Sequence, residues 1–216
     1  MIITVIAKGF KRGTNMSSKD KYGKFKKKHF VRMIDNVRYY LCRKFGYKIM
    51  PRLFETQLTD NTMMVFTHTA NRYAIYYDYK RFKEMFGHRD FETQEAYAGA
   101  IMAHEMRHYY QHRQMRAKQP KEKEETIALW QENEWNPKDL DDGYSLSEYC
   151  LQPLELDATL FEYVFGAEIF KMLLLQVIKD EEHFNEMEKL YVEYFGETDT
   201  DLFNEKIRKI LKERKK

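Results

Sequence analysis

The stretch AHEMRHYYQH, Ala103–His112, lies inside a longer segment whose apolar residues recur at helical spacing. That segment runs from Phe91 to about Met115, so the pattern predicts one long helix. In a helix, positions i and i+4 lie on the same face, about one turn apart. We therefore expect His104 and His108 to direct two imidazole rings toward the same place.

Glu105 follows the first of these histidines and is rotated about 100° around the helix axis. This offset keeps its carboxylate off an ion held by the two imidazoles but beside the open coordination position. There a carboxylate can take a proton from bound water, which is the chemical basis of the H-E-x-x-H motif. The motif predicts a metal site with Glu105 as general base, and the alternative is an ordinary polar helix face.

A catalytic zinc ion usually has three protein ligands and one open position. His112 continues the histidine row, but it lies about 12 Å from His104 along the axis, too far to share an ion bound at about 2 Å. The best candidate for the third ligand is Glu155, because Pro153 suits the first turn of a helix that would carry it. Asp157 points away from the side of Glu155 and is a weaker candidate.

The composition is that of a globular protein, with 43% hydrophobic and 15% aromatic residues among 216. This length fits one domain that can bury a core. The two cysteines, Cys42 and Cys150, form no metal-binding or disulfide framework pattern. The N-terminal apolar run of about seven residues is too short for a signal peptide or a membrane helix. We predict a soluble, cytoplasmic protein without a membrane partner.

Segments rich in β-branched and aromatic residues predict a small sheet formed by Arg52–Leu58, Thr62–His68 and Arg72–Tyr79. Helical periodicity predicts a helix from Phe25 to about Phe45 and a short helix or lid over Ile127–Trp135. Three further helical stretches are predicted, at roughly 154–179, 181–194 and 200–214. The predicted fold is therefore α+β and mostly helical, with a small sheet packed against the motif helix and a C-terminal helical bundle.

The motif and the segment around Glu155 resemble the zincin metallopeptidases, with the gluzincin-like order of H-E-x-x-H and a later glutamate. The chain is most similar to small intracellular and mobile-element zincins of the ImmA/IrrE type, over about residues 60–165. Their second motif, E-x-[DE]-A-x-x-F, is matched by Glu155, Asp157, Ala158 and Phe161. Arg107 stands where that type usually has glycine, and Thr159 stands where thermolysin-like enzymes carry aspartate.

This resemblance implies hydrolysis of peptide bonds in a protein or peptide substrate. It implies one zinc ion on His104, His108 and Glu155, with Glu105 as general base on zinc-bound water. Zincins generally bind their substrate as an extra strand at a sheet edge, and Arg72–Tyr79 is our candidate for that edge.

Four further residues are candidates for supporting roles. Arg107 could pair with Asp157 behind the ligands and lock the two ligand helices together; the alternative is a surface arginine. Tyr144 and Tyr149 precede Glu155 and are candidates for steadying the oxyanion, while the alternative for both is plain packing.

Positive charge is concentrated at the start of the chain. Residues 1–50 contain 14 Lys/Arg and two Asp/Glu, a net charge of +12, whereas residues 51–216 carry −9. This asymmetry predicts a basic N-terminal arm and helix over 1–50 and a zincin-like metallopeptidase domain over 51–216. The basic surface could bind nucleic-acid phosphates, dock an acidic protein, or simply be solvated. The alternative function is therefore a nucleic-acid-binding or regulatory protein with a structural or degenerate zincin core.

Overall fold

The structure is a computed structural model that describes residues 24–59, 62–69, 72–139, 142–144, 148–149 and 152–170. These residues form five α-helices and three strands, which confirms a mixed α+β fold for this part of the chain. Residues 1–23 of the predicted basic arm lie outside the described residues, so the predicted division at residue 50 stays a prediction. The predicted helices beyond residue 170 lie outside them as well.

The chain divides into two compact units between Tyr110 and Gln111. We call the described residues 24–110 the N-terminal unit and the described residues from 111 to 170 the C-terminal unit. No helix among the residues described is both long enough and apolar enough to cross a membrane.

Helix α1 of the N-terminal unit spans Lys27–Phe45, close to its predicted bounds. Its buried apolar side chains recur every three or four residues and include Phe30, Ile34, Val37, Leu41 and Phe45. The helix ends at Gly46, whose φ of 80° lies in the left-handed region that favours glycine. The apolar stripe thus determines which face of the helix is buried, and the glycine determines where the helix ends.

The sheet consists of β1, Arg52–Glu55, β2, Met64–Thr69, and β3, Arg72–Tyr77. Strand β3 pairs parallel to β1 and antiparallel to β2, so it is the central strand. The prediction that Arg72–Tyr79 forms a sheet edge is therefore wrong. The physical reason is that β1 pairs with β3 rather than with its sequence neighbour β2, which leaves β1 and β2 as the edges among the described residues.

Helix α2 spans Tyr79–Phe86 and was not predicted. The predicted strand Arg72–Tyr79 ends early because Asp78 caps this helix. Its Oδ1 accepts a hydrogen bond from the backbone N–H of Arg81 at 3.0 Å, and its Oδ2 accepts one from the N–H of Leu58 at 3.1 Å. One buried carboxylate thus ends a strand, starts a helix and holds the loop after β1.

Helix α3 spans Phe91–Met115, in agreement with the prediction, and crosses the boundary between the units. Asp90 precedes its first residue, and the carboxylate of Asp90 accepts hydrogen bonds from the backbone N–H of Thr93 at 2.7 Å and from the Thr93 hydroxyl at 2.9 Å. Small and flexible apolar side chains, including Ala100, Met102 and Met106, are fully buried along it. Capping at its start and burial along its length make α3 a firm support for the motif.

In the C-terminal unit, α4 spans Glu124–Trp135 and α5 spans Pro153–Phe165, followed by one π-helical turn over Gly166–Phe170. The sequence predicted either a short helix or a lid over Ile127–Trp135, and in the structure this segment is a helix. Its two tryptophans differ sharply, since Trp130 is 2% exposed and Trp135 is 76% exposed.

A buried amide pair joins α4 to the start of α5. Asn133 donates from Nδ2 to Oε1 of Gln152 at 2.6 Å, and its Oδ1 accepts from the backbone N–H of Leu154 at 3.0 Å. Gln152 also donates from Nε2 to the carbonyl of Lys138 at 2.8 Å. These bonds satisfy polar groups at the start of α5 that a helix leaves without internal partners.

Candidate metal centre

The two histidines of the motif lie on one face of α3, and their rings meet. Nε2 of His104 and Nε2 of His108 are 3.0 Å apart, and the ring planes are inclined at 76°. Two nitrogens bound at about 2.05 Å to one tetrahedral ion would be about 3.3 Å apart. The pair is therefore close to the arrangement that a shared ion requires, and the same distance also fits a hydrogen bond between the rings.

Glu105 is 6% exposed and lies beside a strand edge. Its Oε2 accepts a hydrogen bond of 2.7 Å from the backbone N–H of Phe66 in β2. Among the described residues, β2 pairs only with β3. The N–H of Phe66 donates to Glu105, so it lies on the side of β2 that faces away from β3. The candidate general base is thus held at a free sheet edge.

Tyr109 holds this part of α3 against the sheet. Its side chain is fully buried, and its hydroxyl donates to the carbonyl of Ile49. Its ring packs edge-on against Tyr73 at 5.0 Å between centroids and lies 5.9 Å from Phe66. These contacts fix the distance between the motif helix and the two strands beside it.

The predicted third ligand, Glu155, lies in the first turn of α5 in the C-terminal unit. Gln111, a fully buried residue of α3 in that unit, donates from Nε2 to the carbonyl of Leu154 at 2.9 Å and to Oδ2 of Asp157 at 2.7 Å. These two bonds bracket Glu155 in the chain and attach the start of α5 to α3.

Gln111 is not among the residues predicted from the sequence. The spacing in the sequence does indicate its position, because Gln111 is three residues after His108 and such positions share a helix face. A buried amide at that spacing is a natural partner for a second helix, but nothing in the sequence identifies which one.

The predicted donor set is chemically suited to zinc. His104, His108 and Glu155 each present a half-buried side chain. Imidazole nitrogens and a carboxylate oxygen are ligands that zinc accepts, and three protein ligands leave a position for water or substrate. These are the residues that could hold the ion.

Arg107 is buried, and its guanidinium lies over the ring of Tyr110 at 4.6 Å from the centroid. Because only 9% of its surface is exposed, the residue is withdrawn from solvent. The alternative of a surface arginine is therefore wrong, while its pairing with Asp157 stays a prediction.

The two candidate oxyanion residues differ in their surroundings. Tyr144 is exposed, and the ammonium of Lys138 lies 5.8 Å from the centroid of its ring. Tyr149 is half-buried, and its carbonyl accepts hydrogen bonds from the backbone and side chain of Gln152. A role for either hydroxyl in catalysis stays a prediction.

His112, the last histidine of the row, lies beside α4. One of its ring nitrogens and a carboxylate oxygen of Glu134 are within 4.8 Å of each other, and Arg116 pairs with the same carboxylate at 3.2 Å. A histidine, a glutamate and an arginine thus meet at the end of α3 in the C-terminal unit.

Comparison with known proteins identifies no relative of this chain. No protein-family model matches it, and no curated protein or solved structure shows significant similarity to it. The interpretation as a zincin therefore depends on the motif in α3 and on the segment around Glu155.

Proposed function

We propose that this protein is a zinc metallopeptidase in which His104, His108 and Glu155 hold one ion and Glu105 is the general base. The observation that carries the proposal is the 3.0 Å approach of the two imidazole nitrogens beside a buried glutamate at the edge of the described sheet. A structural zinc site usually has four protein ligands and needs no carboxylate beside an open position. The arrangement therefore favours catalysis over a structural role.

Zinc, when bound, would polarise the scissile carbonyl and make a water molecule more acidic. Glu105 would take the proton of the attacking water and pass it to the leaving amine. The hydrogen bond from Phe66 orients the carboxylate before substrate arrives.

The edge of β2 that pairs with no other strand among the described residues supports a specific mode of substrate binding. An extended peptide can add to an unpaired strand through main-chain hydrogen bonds. The N–H of Phe66 is a donor at this edge, so a substrate carbonyl that accepted it would release Oε2 of Glu105 for proton transfer. We therefore propose β2, in place of Arg72–Tyr79, as the strand to which the substrate adds.

Metal content is the first test of this proposal. We expect about one zinc per chain in the wild-type protein, and its loss or sharp weakening in His108→Ala and Glu155→Ala. His88→Ala is the matched control, because His88 is exposed and lies outside the motif. If wild-type protein that has been supplied with zinc retains none of it, the proposal is contradicted.

Hydrolysis is the second test. We expect wild-type protein to cleave denatured casein or a mixture of quenched fluorescent peptides, to stop when a chelator is added, and to recover with zinc. Zinc binding without any cleavage across such mixtures would favour the alternative function, a regulatory or nucleic-acid-binding protein with a structural or degenerate zincin core.

A further inference from the structure

The N-terminal unit contains an open cleft of about 730 Å³ between the start of α1, helix α2 and the start of α3. Five of its lining side chains are cationic, namely Lys24, Lys26, Lys27, Lys83 and Arg89. Asp90 is the one carboxylate among the lining residues. We call this feature the basic cleft.

Two carboxylates at the basic cleft already have partners. Both oxygens of Asp90 accept hydrogen bonds from Thr93, where they cap α3. Glu55 pairs with Lys27 at 2.6 Å, and this contact raises the pKa of the lysine. Neither carboxylate forms an ion pair with Lys24, Lys26 or Lys83 among the described residues.

Three lysines of the basic cleft have no carboxylate partner among the described residues. Lys24 and Lys26 are exposed and form no ion pair within the part of the chain that the structure describes. Lys83 donates from Nζ to Oε1 of Gln94 at 3.3 Å, which is a neutral acceptor. A recess whose charged side chains are mostly cationic concentrates anions.

The start of α1 adds to this field. Lys27 and Lys28 occupy its first turn, which contains no acidic residue, and Lys26 precedes it. Basic side chains at a helix N-terminus oppose the helix macrodipole and reduce stability in the absence of an anion. A bound phosphate would remove this conflict.

Aromatic rings complete the lining of the basic cleft. Phe91 and Tyr79 are half-buried, so each keeps part of its ring accessible. The ring of Phe91 is fixed by edge-on contacts with Phe25 and His29, both at 5.2 Å between centroids. A fixed, accessible ring among cations is a platform on which a nucleic-acid base can stack.

We infer that the basic cleft binds single-stranded nucleic acid, with phosphates at the lysines and a base against Phe91 or Tyr79. A duplex keeps its bases stacked and cannot offer them to rings inside a recess, whereas a single strand can. This site is separate from the metal ligands and does not depend on the proposed peptidase activity.

Fluorescence anisotropy with a labelled single-stranded oligonucleotide of about 12 nucleotides tests this inference. The variant is Lys24→Ala with Lys26→Ala. Its matched control is Lys44→Ala with Lys48→Ala, which removes the same charge near the far end of α1, about 28 Å away. Both pairs are exposed, so circular dichroism should show that both variants remain folded.

We expect the Lys24/Lys26 variant to bind about 25-fold more weakly at 0.1 M salt, with a log–log salt slope smaller by about 1.4, and the control to stay near wild type. A second variant, Phe91→Leu, should weaken binding by at least about fivefold through loss of base stacking.

Four results would overturn the inference. They are an absence of binding by wild-type protein at low salt, equal losses in the two double-lysine variants, duplex binding as tight as single-strand binding, and full competition by pyrophosphate at equal phosphate concentration. The last result would assign the cleft to free phosphate compounds.

Discussion

Two groups of candidate residues in the N-terminal unit differ in their physical basis. On α3, His104, Glu105 and His108 are held by contacts of 3.0 and 2.7 Å and are partly or largely withdrawn from solvent. In the basic cleft, Lys24 and Lys26 are exposed and act through their summed field. The first site depends on the placement of single atoms, and the second on the number of charges. Substitutions should therefore have abrupt effects on α3 and graded effects at the cleft.

Glu105→Gln should have the largest effect. The amide keeps the size of the side chain but cannot take a proton, so kcat/KM for peptide hydrolysis should fall by about 10²- to 10⁴-fold. Initial rates on a quenched fluorescent peptide measure this, beside zinc content, which should not change. Glu92→Gln is the control, since Glu92 is exposed at the start of α3. Equal rates for wild type and Glu105→Gln would remove Glu105 from the mechanism.

Gln111→Ala should come next. The change leaves the carbonyl of Leu154 and the carboxylate of Asp157 without a buried donor, which should cost about 2–3 kcal/mol of unfolding free energy. Zinc affinity should fall by about 10- to 100-fold, because the start of α5 loses an attachment to α3. Urea titration and competition with a chromophoric chelator measure the two effects.

The control for Gln111→Ala is Gln131→Ala, which removes one long bond of 3.3 Å to the carbonyl of Met115. It should have a smaller effect on stability and none on zinc. If both variants lost zinc equally, Gln111 would have no specific role in holding the ligand helix.

Asp78→Ala tests the scaffold of the basic cleft, because α2 carries Tyr79 and Lys83 into it. Loss of a helix cap together with a bond to the N–H of Leu58 should destabilise the protein by about 1–2 kcal/mol. Urea unfolding measures the change. Asp142→Ala, at an exposed loop position, should leave the unfolding midpoint unaltered.

Asp78 should also make the stability of the protein depend on pH. Burial opposes ionisation of Asp78, but the backbone N–H groups of Arg81, Leu58 and Lys80 outweigh it, so its pKa lies below the ordinary value of 3.8. A lowered pKa means that the stabilisation is present above the unfolded-state pKa and is lost as the pH falls through the folded-state value. The urea concentration at the unfolding midpoint should therefore decrease when the pH is lowered below about 4. Asp78→Asn should make this midpoint less dependent on pH in the same range.

Lys28→Glu should have the smallest effect and the opposite sign. An acidic residue in the first turn of α1 complements the macrodipole and should stabilise the protein by about 0.5 kcal/mol at low salt. The gain should fade in high salt, and oligonucleotide binding should weaken. Lys44→Glu, in the last turns of α1, should be destabilising, and stabilisation by both changes would argue against a dipole effect.

Features that depend on neighbouring residues were predictable from the sequence. Helices α1 and α3 follow from apolar side chains at helical spacing, and the pairing of His104 with His108 follows from a four-residue step on one helix. Each of these patterns is contained in one segment, so local geometry suffices to predict it.

Features that join distant segments were not predictable in this way. Strand composition located β3, but only its pairing with β1 showed that it is central. Helix α2 was missed because aromatic residues continue across Asp78 and extend the strand pattern past its cap. The basic cleft combines Lys24 with Lys83 and Arg89, which lie about sixty residues further along the chain.

The contrast between Trp130 and Trp135 has a consequence for spectroscopy. These are the two tryptophans of the chain, and both lie on α4, so tryptophan emission reports on the C-terminal unit. Trp130 should emit at short wavelength and resist acrylamide, whereas Trp135 should emit like a solvated indole and be quenched first. Convergence of the two populations during denaturation would mark the unfolding of that unit.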